Sequence, residues 1–417
     1  SMGNCDDLLN IGCSDVYSSI LNDGRKGGAK WEIDPVTGMW PAGTPTGPVG
    51  DQAIRGRIQV EESEITDPGA TVIIEGQYLS IQDHAASNAR DNYGWRPVAI
   101  AADLTATTAG PTAKGDPAIY AWQALTDGVL IDDLAVENEG GPGVHGWVFL
   151  GSRAVNLGGG LWRYEFAVQN GNSARGVGAL AVPIPCDSDL VISEPFYRGV
   201  VHHSGSPYAN EPWTFAVAGD RAEWRATDYA TDPNASATRW GELTSFGFTA
   251  NRAPAGGVAT LELFVPGTPT ELTGQVIAPG ANFVEYCAAN ANSTGGPAQI
   301  LPAGSASVVQ AELTFTVTDL PLGSFGYLLM SQTQDFVPLF GGSQGNLCLG
   351  APIERFADDV LDSGATGEVA TTLDFEALPN GVVFQPGDTW NFQYWYRDVN
   401  PTPTSNTTAG VSLTFCN

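Results

Sequence analysis

Apolar and polar residues alternate along this chain in short runs: "IRGRIQVE" at 54–61, "TVIIEGQYLSI" at 71–81, "WRYEFAVQ" at 162–169, "TLELFVP" at 260–266, "AELTFTVTD" at 311–319 and "WNFQYWYRD" at 390–398. In 162–169, Trp162, Tyr164, Phe166 and Val168 share one face, while Arg163, Glu165, Ala167 and Gln169 share the other. A period of two over that length marks a half-buried strand. Clusters of Gly, Pro, Asn and Asp stop each run before a helical period can establish itself. Short strands separated by such turns are the pattern of sandwiches and barrels. The chain is therefore expected to be all-β, built of β-sandwich domains. A small, partly helical N-terminal segment is expected as well, with helix in short pieces such as "CDDLLNIGCSDVYSSILN" at 5–22.

At 417 residues the chain exceeds one ordinary core, because single cores stop growing and chains divide at about 250–300 residues. The clearest division lies in "VPGTPTELTGQVIAPGANFVEYC" at 265–287, where a strand runs into Pro266-Gly267. A softer one lies at "ENEGGPGVHG", 137–146, which is either a boundary or a long hairpin loop within one large sandwich. The expected layout is a β-rich region over 1–145, separate from or continuous with a sandwich over 146–274, and a C-terminal sandwich-like domain over 275–417. No repeat of fixed period is present.

Charge narrows the partners. Against 46 acidic residues stand 18 basic ones, giving a net charge of -28 and a pI near 4.2. Only Lys26, Lys30 and Lys114 are lysines. Nucleic acid and anionic membrane surfaces would be repelled, and no stretch approaches the roughly 18 apolar residues that a membrane helix requires. Such a surface suits a secreted protein at the cell surface or outside the cell, where carboxylates keep hydration and oppose self-association. Ser1-Met2 reads as an added dipeptide, with export inferred from composition.

Cys5, Cys13, Cys186, Cys287, Cys348 and Cys416 are even in number and lack the CxxC or Cys-His spacing of a zinc site, so disulfides are expected. Six cysteines allow about 15 pairings. Cys287 and Cys416, near the two ends of the last domain, are expected to join its first and last strands.

Several stretches resemble a known family. "GCSDVYSSILN", "EGQYLSIQD" at 75–83, "LWRYEFAVQNGNSAR" at 161–175, "HSGSPY" at 203–208 and "RWGELTSFGFTANRAPAGGVATLELFVPG" at 239–267 look like a family of secreted, uncharacterised β-rich proteins of planctomycetes and other aquatic bacteria. "EYCAANANSTG" and "FQYWYRDVNP" resemble a C-terminal module appended to exported proteins of those bacteria. The resemblance implies export, all-β architecture and a modular tail. It brings no activity with it.

Chemistry concentrates at "VVHHSGSPYANEPW", 200–213, which holds two of the four histidines. If this is a strand end, His202 and His203 point to opposite faces, which opposes joint ligation of one metal. One reading makes them the last polar groups before a Ser-Gly-Ser-Pro turn. The other makes His203 a general base with Tyr208 beside it, and an arginine, Arg153, Arg163 or Arg239, neutralising charge next to an acidic sugar's carboxylate, as a polysaccharide lyase requires. A metal site from His84, His145 and one of the pair would need three distant loops to meet, and no HExxH supports it.

"GGSQG" at 341–345 matches G-x-S-x-G around Ser343, but Gly350 and Pro352 follow where a helix is needed, so a glycine-rich turn is expected. Acidic clusters offer oxygen ligands for structural calcium at Asp132 and Asp133 and at Asp358 and Asp359, with "CDSDL" a further cluster. None has EF-hand spacing, and the alternative is solvated surface. Trp31, Trp40, Trp95, Trp147, Trp213 and the run Tyr394-Trp395-Tyr396 are candidate sugar-stacking platforms. In a strand that run cannot face one side, so at least one of its members must look outward. Sequons at Asn234, Asn292 and Asn406 are expected to carry no glycan in a bacterial product.

Three functions remain. The first is a secreted non-catalytic protein that binds extracellular polysaccharide or belongs to a surface matrix. The second is a polysaccharide-active enzyme at His203, Tyr208 and an arginine, and the third is a self-assembling surface protein whose edge strands pair between copies.

Overall fold

The computed structural model describes residues 29–39, 47–139, 141–186, 189–281, 283–309 and 313–416. The helix expected at 5–22, Cys5, Cys13 and Trp40 lie outside the described residues. A small antiparallel sheet comes first: β1 (Val72–Gln77) and, on the other edge, β3 (Ala106–Thr108) and β4 (Ala113–Lys114) flank β2 (Tyr93–Ile100). The run at 54–61 is no strand. Residues 51–57 turn, with Gly56 at φ 66°, and Ile54, Ile58 and Val60 stand exposed without a partner strand.

The following strands are β5 (Val129–Val136), β6 (Gly146–Gly158), β7 (Leu161–Asn170), β8 (Val177–Pro183), β9 (Ile192–Arg198), β10 (Thr214–Ala218), β11 (Arg221–Arg225), β12 (Glu242–Ala250), β13 (Pro254–Leu263) and β14 (Glu271–Pro279). They form two five-stranded antiparallel sheets, ordered β5-β6-β7-β12-β9 and β10-β11-β8-β13-β14. One face of each meets the other in a shared core. Tyr164, Phe166 and Val168 of β7 with Phe246 and Phe248 of β12 pack against Leu180 of β8, Trp224 of β11 and Leu261 of β13. The alternation read in 162–169 is the register of this core: Trp162 packs at its rim, and the polar set turns away.

That second face is not left to water. Ala167 packs with Tyr93, Ile119 and Phe149, and Gln169 accepts from the backbone N of Ile119 at 2.9 Å and donates to Glu75 at 2.8 Å. Arg90 lies over the rings of Tyr120 and Phe149 and pairs with Asp133 at 2.6 Å. The small sheet and the helix Ile119–Leu125 are thereby keyed onto the outside of the sandwich.

Residues 137–139 and 141–145 belong to the loop of the β5–β6 hairpin, and residue 275 lies inside β14. In that loop Glu139 accepts from Ser173 Oγ at 3.0 Å and Arg175 N at 2.9 Å, while its Oε2 is inaccessible and has no partner among the described residues. Burial holds this carboxyl above its ordinary range, against the pull of Ser173 and Arg175. A raised carboxyl favours the proton in the fold, so its contribution is complete below the unfolded value and is lost as pH rises through the folded one. Glu139→Gln is therefore expected to raise the thermal midpoint at pH 7 and leave it nearly unchanged at pH 4. Unfolding scans of both proteins across that window check this, and a lower midpoint at pH 7 would refute it.

A second core begins after Pro279. Its larger sheet centres on Thr389–Val399, flanked by Phe325–Ser331 and Gly410–Thr414, and a three-stranded sheet of Gln299–Gly304, Leu313–Thr318 and Val369–Thr372 faces it. Leu313, Phe315 and Val317 alternate into this core with Phe392, Tyr394 and Tyr396. Among the described residues the disulfides are Cys287–Cys348 and Cys186–Cys416, which corrects the expected Cys287–Cys416 bridge. Cys287 lies on an edge strand whose neighbour in space is the Leu347–Leu349 strand, whereas Cys416 reaches the segment that leaves β8 of the sandwich.

Candidate ligand-binding cleft

β9 ends at Arg198, and the chain then crosses the sandwich edge as irregular loop to Trp213. Two other segments close over this loop. Residues 47–64 lie along it as a strap: Val49 N donates to Ser204 O at 2.9 Å, and Arg198 pairs with Glu64. Gly205, at φ 83°, brings backbone so near Val49 that a side chain there would collide. Residues 29–33 form the remaining wall. Between them opens a cleft of about 710 Å³, floored by the start of β12.

His203 is held by both ring nitrogens. Nε2 meets the Arg57 carbonyl at 2.8 Å and Nδ1 meets Ser204 Oγ at 2.7 Å. A carbonyl only accepts, so Nε2 donates to it, while Nδ1 and Ser204 Oγ share one hydrogen bond. No lone pair is left for a substrate. His202 lies edge-on to Tyr208 at 5.3 Å, and burial pushes its pKa down, only partly opposed by Glu242. Both histidines occupy loop rather than strand, so the opposite-face expectation does not apply; each lines the cleft.

Arg239 is the arginine that joins them. Its guanidinium lies 4.3 Å from the Tyr208 ring and 4.5 Å from that of Phe264, and Nη2 donates to the carbonyls of Pro233 and Ala235. Burial lowers its pKa and raises that of Tyr208. Arg153 stands on β6 opposite Glu165, and Arg163 on β7 pairs with Glu194, so neither lines the cleft. Glu242, 6% exposed, accepts from Arg239 N at 2.8 Å and from Lys30 Nζ at 2.7 Å, and that ammonium sits 5.4 Å from the Trp240 ring.

Of the aromatic candidates, Trp31 lines the cleft. Trp213 is buried, stacked on Tyr197 with its indole N–H on Ser236 O. Tyr394 and Tyr396 point into the second core at 1% and 0% exposure, which removes them as ligand platforms; Trp395, between them, faces outward as a strand requires, and packs on Tyr327 with Arg397 above it. Trp95, half-buried on β2, lies opposite Glu75, away from the cleft. Trp240 was not singled out in the sequence. Its signal is the short "RWGE" ahead of an alternating strand, where Gly241 at φ 63° turns the chain into β12.

The acidic candidates do not converge. Asp132 accepts from Gln275 N, Asp133 is engaged by Arg90 and Tyr120, and Asp358 and Asp359 are exposed. Among the described residues no group of three His, Cys, Asp or Glu side chains could hold a metal. His84 is buried in the helix Ile81–Ala85, and His145 accepts weakly from Asn138 N. Ser343 donates to the Ser405 carbonyl and caps Gly345 N, a turn and not a nucleophile elbow. The sequon residues Asn292 and Asn406 are buried and hydrogen-bonded inward.

No family model matches the chain, and no curated protein matches it. Among solved structures, the chain is similar to the 35 kDa C-terminal fragment of the major pilin GBS80 of Streptococcus agalactiae, at 8% identity and a TM-score of 0.19, over 68% of this chain and 92% of that one. At that level of superposition, the likeness carries no weight for fold or function.

Proposed function

We propose that this is an extracellular, non-catalytic protein that binds polysaccharide in the cleft between the 47–64 strap and the sandwich edge. The observation that carries the reading is His203 itself. Its two nitrogens are spent on Ser204 and Arg57, and Arg239 is spent on two rings and two carbonyls. General-base work needs a lone pair within reach of a substrate proton, and here the same groups fasten the strap and the loop. What remains open to a ligand is amphipathic: the indoles of Trp31 and Trp240 with polar groups between them, the combination that suits a sugar ring. The two disulfides among the described residues support an oxidising, extracellular setting.

Assembly through two of the sandwich's edge strands, β14 and β9, is disfavoured by how those edges are finished. Asp132 and Ser152 accept from the outward N–H groups of Gln275 and Ile277 on β14, and β9 carries Pro195 beside a left-handed Glu194. Both are devices that stop strand addition.

Native electrophoresis through gels cast with intact polysaccharides tests the proposal. The expected result is a retarded band over undegraded polymer, with Trp240→Ala weakening retention about tenfold and His203→Ala producing no loss of any turnover. A cleared track behind the protein, abolished in His203→Ala, would establish an enzyme instead.

A further inference from the structure

We infer that the cleft takes an acidic polysaccharide, a chain bearing carboxylates, in preference to a neutral one. This rests on the cleft being the binding site. In a protein with 46 acidic and 18 basic residues, the cleft reverses the balance: Lys30, Arg57, Arg198 and Arg239 line it against Glu61, Glu64 and Glu242, and two of the four histidines join them. Two of those three carboxylates are already matched, Glu242 by Lys30 in a nearly buried pair and Glu64 by Arg198 at the mouth. Arg57 is different. Its carbonyl fixes the strap to His203, but its exposed guanidinium has no ion pair among the described residues. Glu61, exposed on the same strap, is the one lining carboxylate left to oppose it.

A neutral sugar would need none of this. A carboxylate entering beside Trp31 and Trp240 meets Arg57 free and Arg198, 54% exposed, held by a partner it can replace. Bidentate guanidinium–carboxylate pairing supplies both attraction and orientation. The -28 charge of the whole chain opposes approach of a polyanion, but that repulsion is screened beyond about 8 Å at physiological salt, and the guanidinium groups of the cleft act at contact distance.

Polygalacturonate and an uncharged β-glucan, each cast in native gels, provide the test, with Arg57→Ala, Arg57→Lys and Trp240→Ala beside the unaltered protein. Arg57→Ala removes no bond that holds the strap, because the strap is fastened by the backbone at that position. The expected result is stronger retention by polygalacturonate, loss of about tenfold of it in Arg57→Ala, partial recovery in Arg57→Lys, and no change in the β-glucan. Equal or stronger retention by β-glucan, or an Arg57→Ala loss shared by both polymers, would overturn the charge preference and leave the cleft as the site. If neither polymer retards the protein, polysaccharide binding falls, and the charge preference falls with it.

Discussion

Replacing Cys186 and Cys416 together by serine is expected to lower the stability of the second core by about 5 kcal/mol, the chain-entropy value for so long a closed loop. The bridge spans 230 residues in sequence and is the covalent join between the segment leaving β8 and the last strand of the second core. The effect should also have a shape. With the bridge gone, unfolding of the second core no longer carries the sandwich with it, and calorimetry should resolve two transitions where the cross-linked chain gives broader coupling. The Cys287–Cys348 bridge closes a loop of 61; replacing both cysteines by serine costs about 4 kcal/mol in the same treatment, but this bridge lies within one core and its loss should not separate the transitions. An unchanged calorimetric profile after removal of the 186–416 bridge would show that packing alone joins the two parts.

Trp224→Ala is expected to cost about 4 kcal/mol, the scale for emptying a large aromatic site in a core. Trp224 is 1% exposed and lies among Phe166, Phe215, Phe246 and Phe248, stacked on the last at 5.9 Å. These rings come from both sheets, so the cavity would open at the interface that makes the sandwich. Its indole N–H has no partner among the described residues, so Trp224→Phe removes an unsatisfied donor and should cost much less than alanine. Denaturant unfolding measures both, as a shift in midpoint with unchanged slope. A small shift for alanine would mean that the two sheets close over the space.

The parts of the fold legible in sequence are those in which one face of a strand meets a core. The 162–169 run, the strand Leu313–Thr318, and Trp395 turned away from its two neighbours follow directly from the pleat. "IRGRIQVE" has the same alternation but no neighbouring strand to pair with, and pairing is a long-range fact that periodicity does not contain. That the cysteines form disulfides was legible, but the Cys287–Cys416 pairing failed for the same reason: nothing local tells Cys287 that Cys348 lies beside it. For the site, "HHSGSPY" marked the right loop, because histidine, tyrosine and a turn motif are locally visible. Its partners were not, since the cleft is gathered from 29–33, 47–64, 198–208 and 239–243. What decides the role of His203 is a carbonyl 146 residues away.

The Cys186–Cys416 bridge also sets how the molecule carries load. Tension entering at residue 416 and leaving upstream of residue 186 passes through the sulfur atoms and skips everything between. β9 to β14 and the whole second core are inside the bypassed loop, and only β5 to β8 and what precedes them lie in the line of pull. Since an extended chain spans about 3.5 Å per residue, the oxidised protein conceals about 800 Å of length that a reductant would release. The side of the cleft built at β9 and β12 therefore sits on strands that a stretched chain does not strain directly, whereas its 29–33 wall and 47–64 strap precede Cys186 and lie in the line of pull.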